Sequence, residues 1–189
     1  MEKRKKKMKF EPFPILKTER LYLRKIKESD SDVILFLRSN KTVNKFIERP
    51  ENKRTKNKND ALKFIKEITA AIEKNKSISW GITLKDNPQI IGTICLWNFS
   101  KDKKTAEVGY DLNPKFQQKG IMNEALKNVI NFGFNLLKLD KIEAFTHKNN
   151  ISSIRLLEKN KFEFIKDKKD EYNSDNIIFE LKNSTKNTV

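Results

Sequence analysis

Asn113-Pro114-Lys115-Phe116-Gln117-Gln118-Lys119-Gly120-Ile121-Met122-Asn123-Glu124-Ala125 is a tight loop with a single glycine that runs into the start of a helix. Upstream, Ala106, Val108, Tyr110 and Leu112 alternate with Glu107, Gly109 and Asp111, the period of a half-buried strand, and Pro114 ends it. Downstream, Met122, Ala125, Leu126, Val129, Ile130, Gly133, Leu136 and Leu137 trace a helical stripe, with Asn123, Glu124, Lys127, Asn128 and Asn131 on the opposite side. A strand that enters a helix through such a loop is a ready anion site, because several backbone N–H groups converge there with the positive end of the helix dipole. Gly120 lets a phosphate approach. The loop is neither G-x-x-x-x-G-K-[ST] nor G-x-G-x-x-G.

Working outward toward the N-terminus, Ile78, Trp80, Ile82 and Leu84 form one strand face, and Ile90 to Trp97 forms a second strand across the turn Asp86-Asn87-Pro88. Ala61, Phe64, Ile65, Ile68 and Ile72 mark a helix capped by Asn59 or Asp60, preceded by a polar loop over 49–59. Ser29 with Asp32 resembles a capping box, and Val33, Phe36, Leu37, Val43 and Ile47 follow at near-helical spacing. Residues 20–26 alternate as a first strand. Toward the C-terminus, Ile142, Ala144 and Thr146 suggest a strand and residues 151–160 a helix. Residues 162–165 and 177–181 then suggest a closing antiparallel pair across the turn Asn173-Ser174-Asp175. This order predicts one α+β layer fold around a central sheet.

The chain has 189 residues, 37% hydrophobic, with 13 Phe and 2 Trp, enough for one folded core. One Cys and one His cannot supply the usual Cys/His zinc site, so no metal is expected. The longest apolar run, Ile90 to Trp97, is far below the roughly 18 residues of a membrane span, and a cytoplasmic protein is expected. Of the net charge of +16, +5 falls in MEKRKKKMK at residues 1–9, read as a disordered basic tail before a domain over 10–183 and a short tail over 184–189. Met8 offers an alternative start that would leave 1–7 as an upstream extension. Lysines outnumber arginines 34 to 7, which suits a solvated surface better than bidentate phosphate recognition. Weak attraction to acidic partners, the ribosome surface among them, follows from the excess.

Gln117-Gln118-Lys119-Gly120-Ile121-Met122 resembles the acetyl-CoA loop [QR]-x-x-G-x-[GA] of the GNAT acetyltransferase superfamily. Thr18-Glu19-Arg20-Leu21-Tyr22-Leu23-Arg24, Glu107-Val108-Gly109-Tyr110, and Asn150-Ile151-Ser152-Ser153-Ile154-Arg155-Leu156-Leu157-Glu158-Lys159 resemble the branch of ribosomal-protein-alanine N-acetyltransferases (RimJ/RimL-like). The resemblance spans residues 18 to 162 and implies a mixed, mostly antiparallel sheet with helices on both faces. It implies that acetyl-CoA lies where the strand ending at Leu112 parts from the strand ending at Thr146, its pyrophosphate on the amides of Gln118, Lys119, Gly120, Ile121, Met122 and Asn123. Gln117, Leu112 and Asn150 complete the implied cofactor contacts. Met122 departs from the final small residue of the pattern.

The same resemblance implies direct attack of a neutral amine on the thioester, with a carboxylate taking its proton and a donor protonating the thiolate. Glu107 is the candidate base, against the alternative of a solvated strand glutamate. Leu157 stands where many relatives carry a Tyr acid, so Ser153 is the candidate donor or a cofactor contact, or else a first-turn cap, the alternative for Asn150 as well. Glu124 reads as a dipole-stabilising residue, His147 as a lesser base candidate, and Cys95 as a buried small hydrophobe. Trp80, Trp97, Phe99 and Tyr110 read as mostly core, with one or two of them lining the acceptor pocket as the alternative. Lys161 replaces a usual Gly, so the turn before Phe162 is expected to do without an easy positive φ. The acceptor is a protein N-terminal α-amine or a small amine such as an amino sugar, polyamine or antibiotic. A non-catalytic ribosome- or RNA-binding module is the third reading, and the protein is expected as a monomer or homodimer.

Overall fold

The computed structural model describes residues 9–184, so the tails expected over 1–9 and 184–189 lie, except for Lys9 and Ser184, outside the described residues. Eight strands form one sheet: β1 Leu16–Lys17, β2 Leu21–Lys25, β3 Ile78–Leu84, β4 Asn87–Trp97, β5 Thr105–Leu112, β6 Lys141–His147, β7 Glu163–Phe164 and β8 Asn176–Lys182. Four helices accompany them: α1 Ser31–Ser39, α2 Lys58–Glu73, α3 Ile121–Asn131 and α4 Ile151–Lys159. The spatial order is β1-β2-β3-β4-β5-β6-β8-β7, antiparallel at every step except β5–β6.

Alternation sorts the side chains onto two faces. Trp80, Ile82, Ile94, Leu96, Ala106 and Val108 are buried in one core with Ala125, Leu126 and Val129 of α3. Trp80 anchors this layer: its ring meets Phe132 edge-on at 5.2 Å, and its Nε1–H donates to the Pro14 carbonyl at 2.8 Å. On the other face a smaller core joins Ile26 and Ile90 to Ile34 of α1 and to Ala61 and Ile65 of α2. The helices therefore cover both faces, which leaves the sheet reachable only where a helix is missing.

Several boundaries differ from the sequence expectation. α1 stops at Asn40, whose extended backbone (φ −63°, ψ 126°) breaks the helix, so Val43 and Ile47 belong to a turn segment. α1 buries Ile34 and Leu37, while Phe36 is 37% exposed. Its entry is fixed by Asp30, which accepts the Lys27 N–H and two bonds from Arg24, and not by a Ser29–Asp32 box. α2 is capped two residues before Asn59, by Asn57, whose Oδ1 accepts the Asp60 N–H while Asp60 accepts the Asn57 N–H in return. The expected long helix splits: α3 ends at Asn131 and Phe132–Leu136 continue as a π-turn, with Leu137 N–H donating to the Phe132 carbonyl. Trp97 is 48% exposed and belongs to no core. Lys161 takes φ 66°, so the turn keeps the left-handed backbone despite losing the glycine.

Only three rungs join β5 to β6: Thr105 to Lys141, Ala106 to Ile142, and Glu107 to Glu143. Beyond them the two strands part. Val108 to Leu112 stays paired to β4 and Ala144 to His147 to β8, but neither pairs with the other. This leaves two strand edges facing a wedge.

Candidate active site

The wedge opens into a cleft of about 2410 Å³ that runs through the sheet from the loop before α3 to the segment around Tyr172. On the α3 side its wall is the loop itself. Asn113 Oδ1 accepts the Lys115 N–H and the Gln117 side chain donates to the Leu112 carbonyl at 3.2 Å, so the loop is stapled to the end of β5. Gln118 (φ 59°) and Gly120 (φ 73°) then turn the chain through left-handed conformations into α3. Among the described residues, the N–H groups of Gln118, Lys119, Gly120, Ile121, Met122 and Asn123 find no acceptor, as befits a loop and a first helical turn. Ile121 and Met122 are buried and belong to the main core. Asn123 accepts a bond from Asn160 at 3.0 Å, which ties the first turn of α3 to the end of α4.

The Thr18–Arg20 segment proves to be the loop's brace. Glu124 accepts the Thr18 hydroxyl, the Arg20 N–H at 2.8 Å and the Arg20 Nε–H at 2.7 Å, while Arg20 Nη1 donates to the Lys119 carbonyl at 3.0 Å. Burial raises the Glu124 carboxyl, but these bonds outweigh it and hold the group below the usual carboxylate range. Glu124 thus ties β2 to the loop, and its carboxylate is engaged by the protein itself.

Glu107 sits on the last joined rung, opposite Trp97 on β4 and Glu143 on β6. The Asn98 amide donates to its Oε1, and the residue lines the cleft. Burial pushes its carboxyl up; the Asn98 bond opposes this and the charge of Glu143 adds to it. Glu143, although also raised by burial, is held low by Lys141 and Lys168, so the two neighbouring carboxylates differ.

On the opposite face of the wedge, Tyr110 Oη and Ser153 Oγ lie 2.8 Å apart. The Ser153 N–H donates to Asn150 Oδ1 at 3.2 Å, so Asn150 caps α4 and Ser153 stands in its first turn. Burial raises the Tyr110 phenol to about 12, with the Ser153 bond opposing. His147 lies at the cleft margin, its Nδ1 accepting the Asn149 N–H and its ring 5.2 Å from Phe46. The Cys95 thiol is pushed up to about 12 by burial, which keeps it protonated and unreactive.

Glu107, Ser153, Asn150, Leu112 and the loop residues Gln117, Gln118, Gly120, Ile121, Met122 and Asn123 therefore line one cleft, whereas Lys119 does not line it and its Nζ donates to the Lys115 carbonyl. Two other residues stand beside them. Tyr110, read as mostly core, packs against the main core and also lines the cleft. Asp111 shares the Glu107 face; Oδ1 accepts both the N–H and the hydroxyl of Thr93, and burial raises its carboxyl against the pull of Thr93, Arg49 and Arg38. The alternation Glu107, Gly109, Asp111 held that signal.

A split sheet whose gap begins at an anion-ready helix start is an arrangement with known counterparts. The chain belongs to the GNAT acetyltransferase family, since the model of the acetyltransferase (GNAT) domain matches residues 20–163. It is 33% identical over 153 residues to the uncharacterized N-acetyltransferase YoaA of Bacillus subtilis (strain 168), across 80% of this chain and 84% of that protein. It is 32% identical over 142 residues to the uncharacterized N-acetyltransferase p20 of Bacillus licheniformis, across 75% and 78%. In fold it is similar to a ribosomal-protein-S5-alanine acetyltransferase from Vibrio fischeri, with a TM-score of 0.78 at 22% identity over 90% of this chain and 97% of that one. It is also similar to the microcin self-immunity acetyltransferase MccE in complex with acetyl-CoA and AMP, with a TM-score of 0.74 at 19% identity over 87% and 93%. The fold is the GNAT fold and the protein is an N-acetyltransferase.

Proposed function

We propose that the protein transfers an acetyl group from acetyl-CoA to a protein N-terminal α-amine. The observation that carries the reading is the wedge itself. Its unpaired β5 edge runs from the loop amides to Glu107, with a hydroxyl pair on one face and a carboxylate on the other. Six N–H groups at a helix start that find no acceptor among the described residues, with no Cβ at Gly120, suit a diphosphate. From Val108 to Leu112 the strand advances about 13 Å, the length over which an extended amide-bearing arm can pair with its free edge. Acetyl-CoA supplies the thioester.

Glu107 takes the proton of the attacking amine as the C–N bond forms and the C–S bond breaks. Ser153, or Tyr110 through it, gives a proton to the departing sulfur and recovers one from solvent. Asn98 orients the base, and burial keeps its proton affinity nearer neutrality than that of a solvated glutamate. Residues 38–56 and 168–173 contribute much of the remaining lining, and a cleft of this volume has room for a chain end in extended form. The likeness in fold to a ribosomal-protein-alanine acetyltransferase supports the same acceptor class. Thiol release from acetyl-CoA with peptides beginning Ala, Ser or Met, against a panel of small amines, tests the reading, with Glu107→Gln and Gln117→Ala alongside. Turnover on the small amines alone would overturn the acceptor class, and full peptide turnover by Glu107→Gln would overturn the base.

A further inference from the structure

The acceptor side of the cleft holds a pair of arginines that nothing in the proposed chemistry uses. Arg38, at the end of α1, and Arg49, in the loop that follows, both line the cleft and both are partly buried. Arg38 is built in place. Its guanidinium lies over the Phe64 ring at 3.7 Å, its Nε–H donates to Thr55 Oγ1 at 2.8 Å, and its Nη2 donates to the Lys53 carbonyl at 3.0 Å. Arg49 donates through Nη1 to Asn44 Oδ1, which leaves Nε and Nη2 without an acceptor among the described residues. Neither guanidinium has a carboxylate within 4.0 Å among the described residues, although other surface cations of this chain do.

Two cations in a half-buried position repel one another, and burial together with Arg49 lowers Arg38 to about 10, still charged at neutral pH. Two carboxylates act on them at longer range: Asp111, whose Oδ1 is committed to Thr93, acts on both, and Glu67, which pairs with Lys53, acts on Arg38. Neither carboxylate is within ion-pair reach and Glu67 is shared with Lys53, so the two guanidiniums and Lys53 outnumber them, and the pocket keeps an excess positive charge and open fork donors.

We infer that Arg38 and Arg49 form an anion subsite that holds a carboxylate of the acceptor while its amine lies at Glu107. The spacing follows from the sheet. Asp111, the strand residue beside the arginines, lies four residues beyond Glu107 on β5, about 13 Å along an extended strand. Arginine side chains close part of that gap, and an extended peptide gains about 3.4 Å per residue, so the carboxylate belongs to a side chain at the second to fourth residue. That placement rests on the proposed N-terminal acceptor, whereas the anion subsite does not. A free ω-amino acid offers the same two groups, and the test separates the two sources.

The experiment is calorimetric binding to the protein saturated with CoA. One pair of probes is a peptide beginning Ser-Glu-Glu and its isostere beginning Ser-Gln-Gln; the other is 6-aminohexanoate and hexylamine. Wild type should bind the carboxylate-bearing member of a pair about tenfold more tightly at low salt, and the preference should shrink as salt shortens the Debye length. Arg49→Gln should remove the preference and Arg49→Lys should restore part of it, with CoA affinity unchanged as proof of an intact fold. Equal binding within each pair, no binding of any probe, or a preference that survives in Arg49→Gln would overturn the subsite. A preference within the 6-aminohexanoate pair with neither peptide bound would uphold the subsite and overturn the peptide acceptor.

Discussion

Removing the Glu124 carboxylate should cost stability and cofactor affinity together, because one side chain braces both β2 and the loop before α3. In Glu124→Ala the half-buried Thr18 hydroxyl loses a charged acceptor, a contact worth about 2 kcal/mol, and the more exposed Arg20 N–H and Nε–H lose contacts worth about 0.5 kcal/mol each. The Arg20 side chain is 47% exposed, so its share is discounted for solvent screening. The total is about 3 kcal/mol, which for a domain of this size lowers Tm by roughly 6–12 °C. The pH dependence has a fixed sign. The folded-state pKa of Glu124 lies below its ordinary value, so the stabilisation is complete above about 4.5 and fades as pH falls through the folded value. Melting of wild type and variant followed by tryptophan fluorescence from pH 7 down to about 3.5 measures the difference, and other carboxylates cancel in it. The apparent KM for acetyl-CoA should rise several-fold while kcat changes less, since the brace does not touch the reacting atoms. A variant that melts within about 1 °C of wild type at pH 7, or a difference that grows as pH falls, would refute the reasoning.

Glu107→Gln should lower kcat/KM by about 10²–10³, and the lower ionisation of the pH–rate profile, which lies above the ordinary glutamate range because burial raises Glu107, should disappear. Tyr110→Phe and Ser153→Ala should each slow the chemical step in single-turnover measurements, and the double variant should be no slower than the worse single one if the hydroxyls act as one relay. Gly92→Ala should destabilise severely or fail to fold, because a Cβ there would stand 2.5 Å from the Asp111 carbonyl oxygen and 2.8 Å from Leu112 Cδ1; expression and melting of the variant decide it. Lys161→Gly should raise stability by about 1 kcal/mol by relieving a left-handed lysine, measured by urea unfolding.

What the sequence made legible follows the strength of its periods. The α3 stripe and the alternating rows of β3 and β5 are strong periods, and they place the loop between Leu112 and Ile121. The region 28–56 was illegible for the opposite reason. Val33 and Phe36 mimic a continuing stripe, while the helix is rotated toward Ile34 and Leu37 and halted by the extended backbone of Asn40. Arg38 and Arg49 are brought together by the loop that follows, and no periodicity in the chain announces such a meeting. Tyr110 is core by alternation and also cleft by topology, because it stands where the sheet splits. The parting of β5 from β6 after Glu107 is a fact of pairing that a single strand pattern does not contain.

That parting also has a mechanical meaning. The three rungs at 105–107 and 141–143 act as a hinge between a five-strand jaw and a three-strand jaw, and the jaws beyond it are held apart without mutual backbone bonds. A ligand whose amides pair with the free edge of β5 would supply part of the missing rungs and act as a ninth, removable strand. Ligand binding and sheet closure then become the same event, so amide protons of β6 and β8 should exchange more slowly when the wedge is filled, although no residue of β8 lies on the exposed edge.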